Sequence, residues 1–115
     1  MNMFFNVNRV KISFTIPTEF IDDIRKSIFD LRVSTIGNYT NCSISTKCLG
    51  SFKPNDKAHP FIGKKNRTEF VEEEKLEFIC SVKDVKKVVL KIKEIHPYEE
   101  VGIDIIPLLD ENDFS

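Results

Sequence analysis

The chain has 115 residues, of which 41% are hydrophobic and 30% charged, and its 17 basic and 18 acidic side chains give a formal net charge of −1. This length supports one hydrophobic core and not two, which excludes a multidomain enzyme within these residues. Because the net charge is close to zero, we expect no nucleic-acid partner. No apolar run approaches the ~20 residues needed to span a bilayer, so we expect no membrane partner and a cytoplasmic location.

The three cysteines, Cys42, Cys48 and Cys80, cannot all pair within one chain, and none lies in a Cys-x-x-Cys arrangement. Zinc prefers four ligands, often in closely spaced pairs, and His59 and His96 are distant from the cysteines in sequence. The pattern therefore predicts buried thiols, with a structural zinc site as the weaker alternative.

The first part of the chain has the pattern of a strand followed by a helix. Apolar residues alternate with polar ones over 10–16, the period of a half-buried strand, and Pro17 ends it. Thr18 is a candidate helix cap. The apolar residues that follow share one helical face and are Phe20, Ile21, Ile24, Ile28 and Leu31. Small and β-branched residues over 41–52 predict a second, partly polar strand.

A second strand-helix pair follows in the C-terminal half. Residues 76–82 alternate like a third half-buried strand, and Asp84 is suited to the N-cap of the next helix. The apolar stripe of that helix is Val85, Val88, Val89, Ile92 and Ile95. Pro97 prevents the helix from continuing, and residues 101–105 predict a fourth strand before Pro107.

The predicted order is β-α-β-β-α-β, which indicates an α+β, ferredoxin-like fold with both helices on one face of an antiparallel sheet. The single domain spans 10–108, after a lead-in at 1–9 and before an acidic, flexible tail at 109–115. Ile79 and Ile106 fall on the face away from the helices. That face needs a cover, and self-association supplies one most simply.

A long segment at 50–74 joins the two central strands and is a candidate functional loop. Its basic side chains are Lys53, Lys57, Lys64, Lys65 and Arg67, and acidic ones follow at Glu69, Glu72, Glu73 and Glu74. One interpretation is a solvated loop that becomes ordered in an oligomer. The other is a loop that binds a small anion, in which Lys53 and Lys64 are the contacts.

Two short segments contain side chains that could take part in binding or catalysis. His96, Tyr98, Glu99 and Glu100 place an imidazole, a phenol and two carboxylates at a helix end, where they could bind a cation or transfer protons. The alternative is that these residues only end the helix, because histidine is favoured at a helix C-terminus and proline stops the helix.

Near Gly37, the side chains of Asn38, Tyr39 and Ser43 could hold an anion, or could serve only the local backbone. Cys42 with His96 as base is a conceivable nucleophilic pair, although no third orienting residue is indicated. No nucleotide-binding, metalloprotease or nucleophile-elbow motif is present.

Four ordered motifs carry a resemblance to a known family. They are Ile36-Gly37-Asn38-Tyr39-Thr40-Asn41-Cys42-Ser43, Gly50-Ser51-Phe52-Lys53-Pro54, Pro60-Phe61-Ile62-Gly63, and His96-Pro97-Tyr98-Glu99-Glu100-Val101 with Asp104-Ile105 after it. With them, residues 10–108 resemble the YqfO-type domain. This PII-like and CutA-like module is inserted in bacterial Nif-three-like metal proteins and also occurs free-standing, the form expected here.

The resemblance implies a ferredoxin-like fold and, as in PII and CutA, a homotrimer. It implies no metal site, because the paired metals of the Nif-three-like proteins are held by domains that flank this module. For that reason the GTP cyclohydrolase activity attributed to longer members is not carried over. The string Lys64-Lys65-Asn66-Arg67 makes the loop more basic than is usual in the family.

The sequence thus predicts a non-enzymatic PII-like or CutA-like binding or regulatory module, with a small ligand or partner in clefts between subunits. The predicted ligand contacts are Asn38, Tyr39, Ser43, Lys53, Lys64, His96, Tyr98, Glu99 and Glu100. No cofactor is predicted. The alternative is a CutA-like protein that binds a divalent metal through His96 and Glu99, and an enzyme that uses Cys42 is the third hypothesis.

Overall fold

The structure is a computed structural model that describes residues 6–114, so part of the predicted lead-in and the last residue of the tail lie outside the described residues. The strands are β1 (Arg9–Pro17), β2 (Ile44–Phe52), β3 (Glu69–Ser81) and β4 (Asp104–Leu108), and the helices are α1 (Ile21–Asp30) and α2 (Val85–Ile95). The sheet order is β2-β3-β1-β4 with every pair antiparallel, which confirms the ferredoxin-like fold.

The core lies between one face of the sheet and the two helices. α1 contributes Ile24 and Ile28, and α2 contributes Val88 and Ile92, all fully buried. The side chains that the sheet turns toward them are Val10, Ile12, Phe14, Ile16, Leu76, Phe78 and Cys80. Burial of this set provides most of the driving force for folding. Among the described residues, no helix is long and apolar enough to cross a membrane.

Neither helix covers the opposite face of the sheet. Lys11 is paired with Ile79 on one side and with Ile106 on the other, so the two isoleucines lie on this face as predicted. Ile106 is 44% exposed.

The strand bounds differ from the prediction at three places. β2 begins at Ile44 and not at 41, because Asn41 has a φ of 57°, which a strand does not accept. β3 begins at Glu69 and not at 76, since backbone pairing with β2 continues through the glutamates. The connecting loop is therefore 53–68 and not 50–74.

β4 begins at Asp104 and includes Pro107, which is tolerated because β4 is an edge strand. Val101 and Ile103, predicted to be in this strand, pack against the core ahead of it.

One of the two predicted helix caps departs from expectation. Thr18 does not cap α1; it opens a short 3₁₀ turn, Thr18–Phe20, which leads into the helix. Asp84 does occupy the N-cap position of α2, without a capping hydrogen bond, and it pairs with Lys87 at 3.4 Å. In the described part of the predicted tail, Glu111–Phe114 form a 3₁₀ turn.

Candidate functional site

His96 ends α2 and fills a gap at the edge of the sheet. β4 pairs with β1 only as far as Ser13, and His96 Nε2 lies 2.8 Å from the carbonyl oxygen of Thr15, two residues farther along β1. The backbone N–H of Tyr98 donates to His96 Nδ1 at 3.1 Å. A carbonyl oxygen can only accept, so Nε2 carries the proton and the ring is neutral.

The environment of His96 agrees with this tautomer. The residue is 5% exposed. Burial lowers the pKa of the imidazole, and the Thr15 carbonyl and the charge of Glu73 oppose that shift only in part. With both ring nitrogens occupied, His96 acts as a structural link between β1 and the turn that follows α2.

That turn places Tyr98 against the uncovered face of the sheet. Its hydroxyl donates to Glu73 Oε2 at 2.7 Å, and its ring lies 5.9 Å from Phe52 and 4.7 Å from His96, measured between centroids. Burial, reinforced by the hydrogen bond to Glu73 and its charge, raises the pKa of the Tyr98 phenol. The phenol is therefore a hydrogen-bond donor near neutral pH and not a base.

Glu73 is the least expected member of the site. It is 5% exposed, although it lies near the start of β3 where β3 pairs with β2. A Cβ atom at Gly50 on β2 would overlap Glu73 Oε1. The absence of a side chain at Gly50 thus makes room for the carboxylate over the β2 backbone.

A cleft of about 590 Å³ opens above this pair, between the end of β2, the loop 53–68 and the turn after α2. Its walls are mostly apolar and include Phe52, Pro60, Phe61 and Ile62. The lining residues that carry a formal charge are Lys53, Lys75, Glu73, Glu99 and Glu100. Volume and lining are those of a small-molecule site.

Two contacts hold the loop over the cleft. The ring of Phe61 packs edge-on against Phe20 at 5.8 Å, which ties the loop to the start of α1. The backbone N–H of His59 donates to Glu99 Oε1 at 2.8 Å, which ties it to the turn after α2. The loop is therefore placed by the fold and forms one wall of the cleft.

The predicted site residues divide into two groups. Lys53, Tyr98, Glu99 and Glu100 line the cleft, and His96 lies behind Tyr98. The others do not line it and are Asn38, Tyr39, Ser43 and Lys64. In the 36–43 turn, Ile36 and Tyr39 exchange backbone hydrogen bonds of 2.8 and 2.9 Å, so the local backbone is satisfied there.

Sequence reasoning missed Glu73 and Gly50 as site residues. Glu73 belongs to a run of glutamates that look equivalent in sequence, and only the strand register separates it from Glu72 and Glu74. Gly50 reads as a loop residue when β2 is expected to end near it. The one available signal is a lone glycine in a strand pattern, which often marks a close approach of another group.

The other chemical hypotheses find little geometric support. The Cys42 thiol contacts the carbonyl oxygens of Tyr39 at 3.4 Å and Thr40 at 3.9 Å, and His96 directs both nitrogens elsewhere. Within residues 6–114, no group of three or more His, Cys, Asp or Glu side chains is arranged to hold a metal ion.

The fold is the PII-like and CutA-like variant of the ferredoxin-like fold. Solved structures with this fold include the divalent ion tolerance protein CutA1 from Ehrlichia chaffeensis, 16% identical with a TM-score of 0.68 over 94% of this chain and 88% of that one. The CutA1 protein of Shewanella sp. SIB1 is 12% identical, with a TM-score of 0.70 over 92% of this chain and 86% of that chain. No family model matches the chain.

Sequence relatives are more specific. The GTP cyclohydrolase 1 type 2 homolog of Halalkalibacterium halodurans is 38% identical over 103 residues, which are 90% of this chain and 28% of that protein. The Bacillus subtilis protein of the same name is 37% identical over 98 residues, 85% of this chain and 26% of that protein. A Bacillus cereus protein related to NIF3 has a TM-score of 0.77 at 30% identity, over 89% of this chain and 26% of that one.

These matches confirm the resemblance found in the motifs: the chain is a relative of the NIF3-related proteins and corresponds to their YqfO-type domain. It spans only about a quarter of the length of the curated relatives it matches.

Proposed function

We propose that this chain is a non-enzymatic binding or regulatory module of the PII-like and CutA-like type, which takes a small ligand in the cleft and works as a homotrimer in the cytoplasm. The observation that carries the proposal is the cleft itself, whose floor is the buried Glu73 hydrogen-bonded to the half-buried Tyr98. A hydrogen-bonded polar pair under apolar walls is suited to orient a ligand.

The state of the polar groups favours binding over catalysis. His96 is neutral, buried and bonded through both ring nitrogens, so it has no free lone pair with which to accept a proton from a substrate. Tyr98 keeps its proton and shares it with Glu73. The Cys42 thiol contacts the backbone carbonyl oxygens of Tyr39 and Thr40, and neither of these is a base that could activate it.

Self-association is supported by the hairpin of β2 and β3. β1 pairs with β3 only from Glu73 onward, so the stretch Glu69–Glu72 is paired with β2 alone and forms a two-stranded arm. Leu49 is 66% exposed and Phe70 67% exposed, as diagonal neighbours on one face of this arm. A two-stranded ribbon is marginal by itself. A second copy packed on this face would stabilise it, and the CutA-like fold favours three copies.

The activity in the relatives' name is not part of the proposal, because the chain spans about a quarter of those proteins. Binding of a divalent metal through His96 and Glu99 remains the alternative. We place it second, since His96 would have to release Thr15 or Tyr98 to become a ligand.

The proposal can be tested by thiol footprinting. Cys48 lines the cleft, Cys42 does not, and Cys80 is buried with its pKa raised to about 11 by burial, with a smaller contribution from the charge of Asp84. Purified protein is alkylated with iodoacetamide, with and without the small molecules of a deproteinised cell extract, and each cysteine is quantified by peptide mass spectrometry. We expect the extract to slow alkylation of Cys48 and to leave Cys42 unchanged. An unchanged rate at Cys48 would contradict ligand binding in the cleft.

A further inference from the structure

The charges that line the cleft differ from those of the loop as a whole. Three carboxylates, Glu73, Glu99 and Glu100, face two lysines, Lys53 and Lys75, so the lining carries one net negative charge. The basic residues near the loop tip do not line the cleft and are Lys64, Lys65 and Arg67. The local field therefore favours a positive charge, even though the loop is basic.

Glu73 has an unused acceptor at the floor of the cleft. Its Oε2 accepts the Tyr98 hydroxyl, whereas its Oε1 accepts no hydrogen bond from any other described residue. The residue is 5% exposed, but among the described residues Ser34 Oγ is the one side-chain atom that is both sealed from water and unpartnered, so Glu73 Oε1 keeps access to solvent from the cleft. Oε1 itself occupies the space over Gly50 that any Cβ would fill. A donor group on a ligand in the cleft can bond to this oxygen in place of water.

The walls of the cleft suit the same kind of ligand. Phe52, Phe61 and Tyr98 bring three aromatic rings to the lining. Aromatic faces attract cations and also pack against apolar bodies. An apolar, aromatic enclosure with a carboxylate at its base is complementary to a molecule with a cationic N–H group at one end.

We propose that the cleft binds a small organic cation, an amine, amidinium or guanidinium group on an apolar body, whose N–H donates to Glu73 Oε1. This inference rests on the proposed function, that the cleft is a ligand site, and adds the charge of the ligand. The small anion predicted from Lys53 and Lys64 is the competing outcome.

Three probes of nearly the same shape separate the charges: benzamidine is a cation, benzamide is neutral and benzoate is an anion. Each is titrated into the full-length ¹⁵N-labelled protein, and binding is followed through the amide resonances of Gly50 and Tyr98. We expect benzamidine to saturate these shifts with an affinity about tenfold or more above that of benzamide, because a charge-assisted hydrogen bond is gained. We expect no saturable shift with benzoate.

Matched variants place the cation on Glu73. Glu73→Gln keeps the shape and can still accept the Tyr98 hydroxyl, and we expect it to weaken benzamidine binding about tenfold. Glu72→Gln removes the same charge from the next residue of β3, which is exposed and lies on the opposite face, and we expect it to bind as the wild type does. If Glu73→Gln fails to fold, the comparison of benzamidine, benzamide and benzoate binding to the wild type still tests whether the cleft prefers a cation.

Benzoate binding at least as tightly as benzamidine would overturn the cation inference and leave the cleft as a ligand site. Equal benzamidine affinity in the wild type and Glu73→Gln would also overturn the cation inference. The same holds if benzamidine does not bind while a cell extract still protects Cys48 from alkylation. An extract that leaves Cys48 unprotected would contradict the proposed function itself, so the two failures are distinguishable.

Discussion

Tyr98 and Glu73 meet across the fold through a 2.7 Å hydrogen bond, although 25 positions separate them in the chain. Glu73 comes from the long strand β3, and Tyr98 from the turn where α2 ends. His96 fixes that turn by bonding to Thr15 of β1 and to the backbone of Tyr98. The floor of the cleft therefore depends on three separate elements holding their relative positions.

Replacement of Tyr98 by phenylalanine removes the one described donor to Glu73. We expect Tyr98→Phe to reduce the free energy of unfolding by about 1–3 kcal/mol, because the buried carboxylate loses its partner. Urea denaturation measures this difference. Tyr39→Phe is the matched control, since Tyr39 is 76% exposed and lies outside the cleft, and it should be neutral. Equal stability of the two variants would contradict a stabilising role for the Tyr98 hydroxyl.

Substitution of Gly50 tests the close approach of the Glu73 carboxylate to β2. The Cβ of Gly50→Ala would overlap Glu73 Oε1, so the carboxylate or the strand must shift. We expect a loss of about 1–3 kcal/mol in unfolding free energy, typical of an overpacked site. Gly102→Ala is the control, because a Cβ there meets no atom within 4 Å. The account fails on this point if Gly50→Ala is as stable as Gly102→Ala.

The neutral, buried state of His96 predicts a pH dependence of stability. Its pKa in the folded protein is lowered from the ordinary 6.5, chiefly by burial. As the pH falls through 6.5, the unfolded chain takes up a proton that the folded chain does not, so the free energy of unfolding decreases. This contribution is present above pH 6.5 and is lost on acidification.

Urea denaturation at pH 7.5 and pH 5.0 measures the loss. We expect the wild type to lose more stability than His96→Gln over this interval, because glutamine does not titrate. His59→Gln is the control, since the described hydrogen bond of His59 involves its backbone N–H and not its ring, and it should retain the wild-type slope. If His96→Gln loses as much stability between pH 7.5 and pH 5.0 as the wild type does, another group is responsible for the pH dependence of stability.

The two-stranded arm predicts the site of self-association. We expect the double variant Leu49→Ser, Phe70→Ser to dissociate the proposed trimer into monomers, because both side chains are exposed on the arm in a single copy. Light scattering coupled to size-exclusion chromatography gives the mass. Leu90→Ser removes a comparably exposed leucine, 59% exposed, from α2 and should leave the mass unchanged. A trimer that survives the double variant would place the interface elsewhere.

Periodicity predicted the fold well because its strands and helices bury one face each. The sequence shows the apolar stripe of α2 and the apolar-polar alternation of β3 directly. The residues of these patterns are buried as expected, among them Val88, Ile92, Leu76 and Phe78. The start of β3 was not predictable in this way. Glu69 and its neighbours extend a ladder whose hydrogen bonds are made by the backbone, and the arm exposes both faces, so no apolar alternation marks it.

The candidate site was predictable only in part. Tyr98, Glu99 and Glu100 form a distinctive string at a helix end, and all three line the cleft. Glu73 and Gly50 required the register of β2 against β3, which depends on where a long hairpin begins. The 36–43 turn and the loop lysines were judged by composition, and composition does not determine which residues converge on one cleft.

Native mass spectra of the freshly purified, untagged protein test the central claim most directly, because they give the number of subunits and the mass of any retained small molecule together. The account predicts a trimer with a stoichiometric adduct that is lost in Gly50→Ala and kept in Tyr39→Phe, because Tyr39 does not line the cleft. A bare monomer, or an adduct that persists when Gly50 is replaced, would contradict a self-associating module whose ligand lies in the cleft.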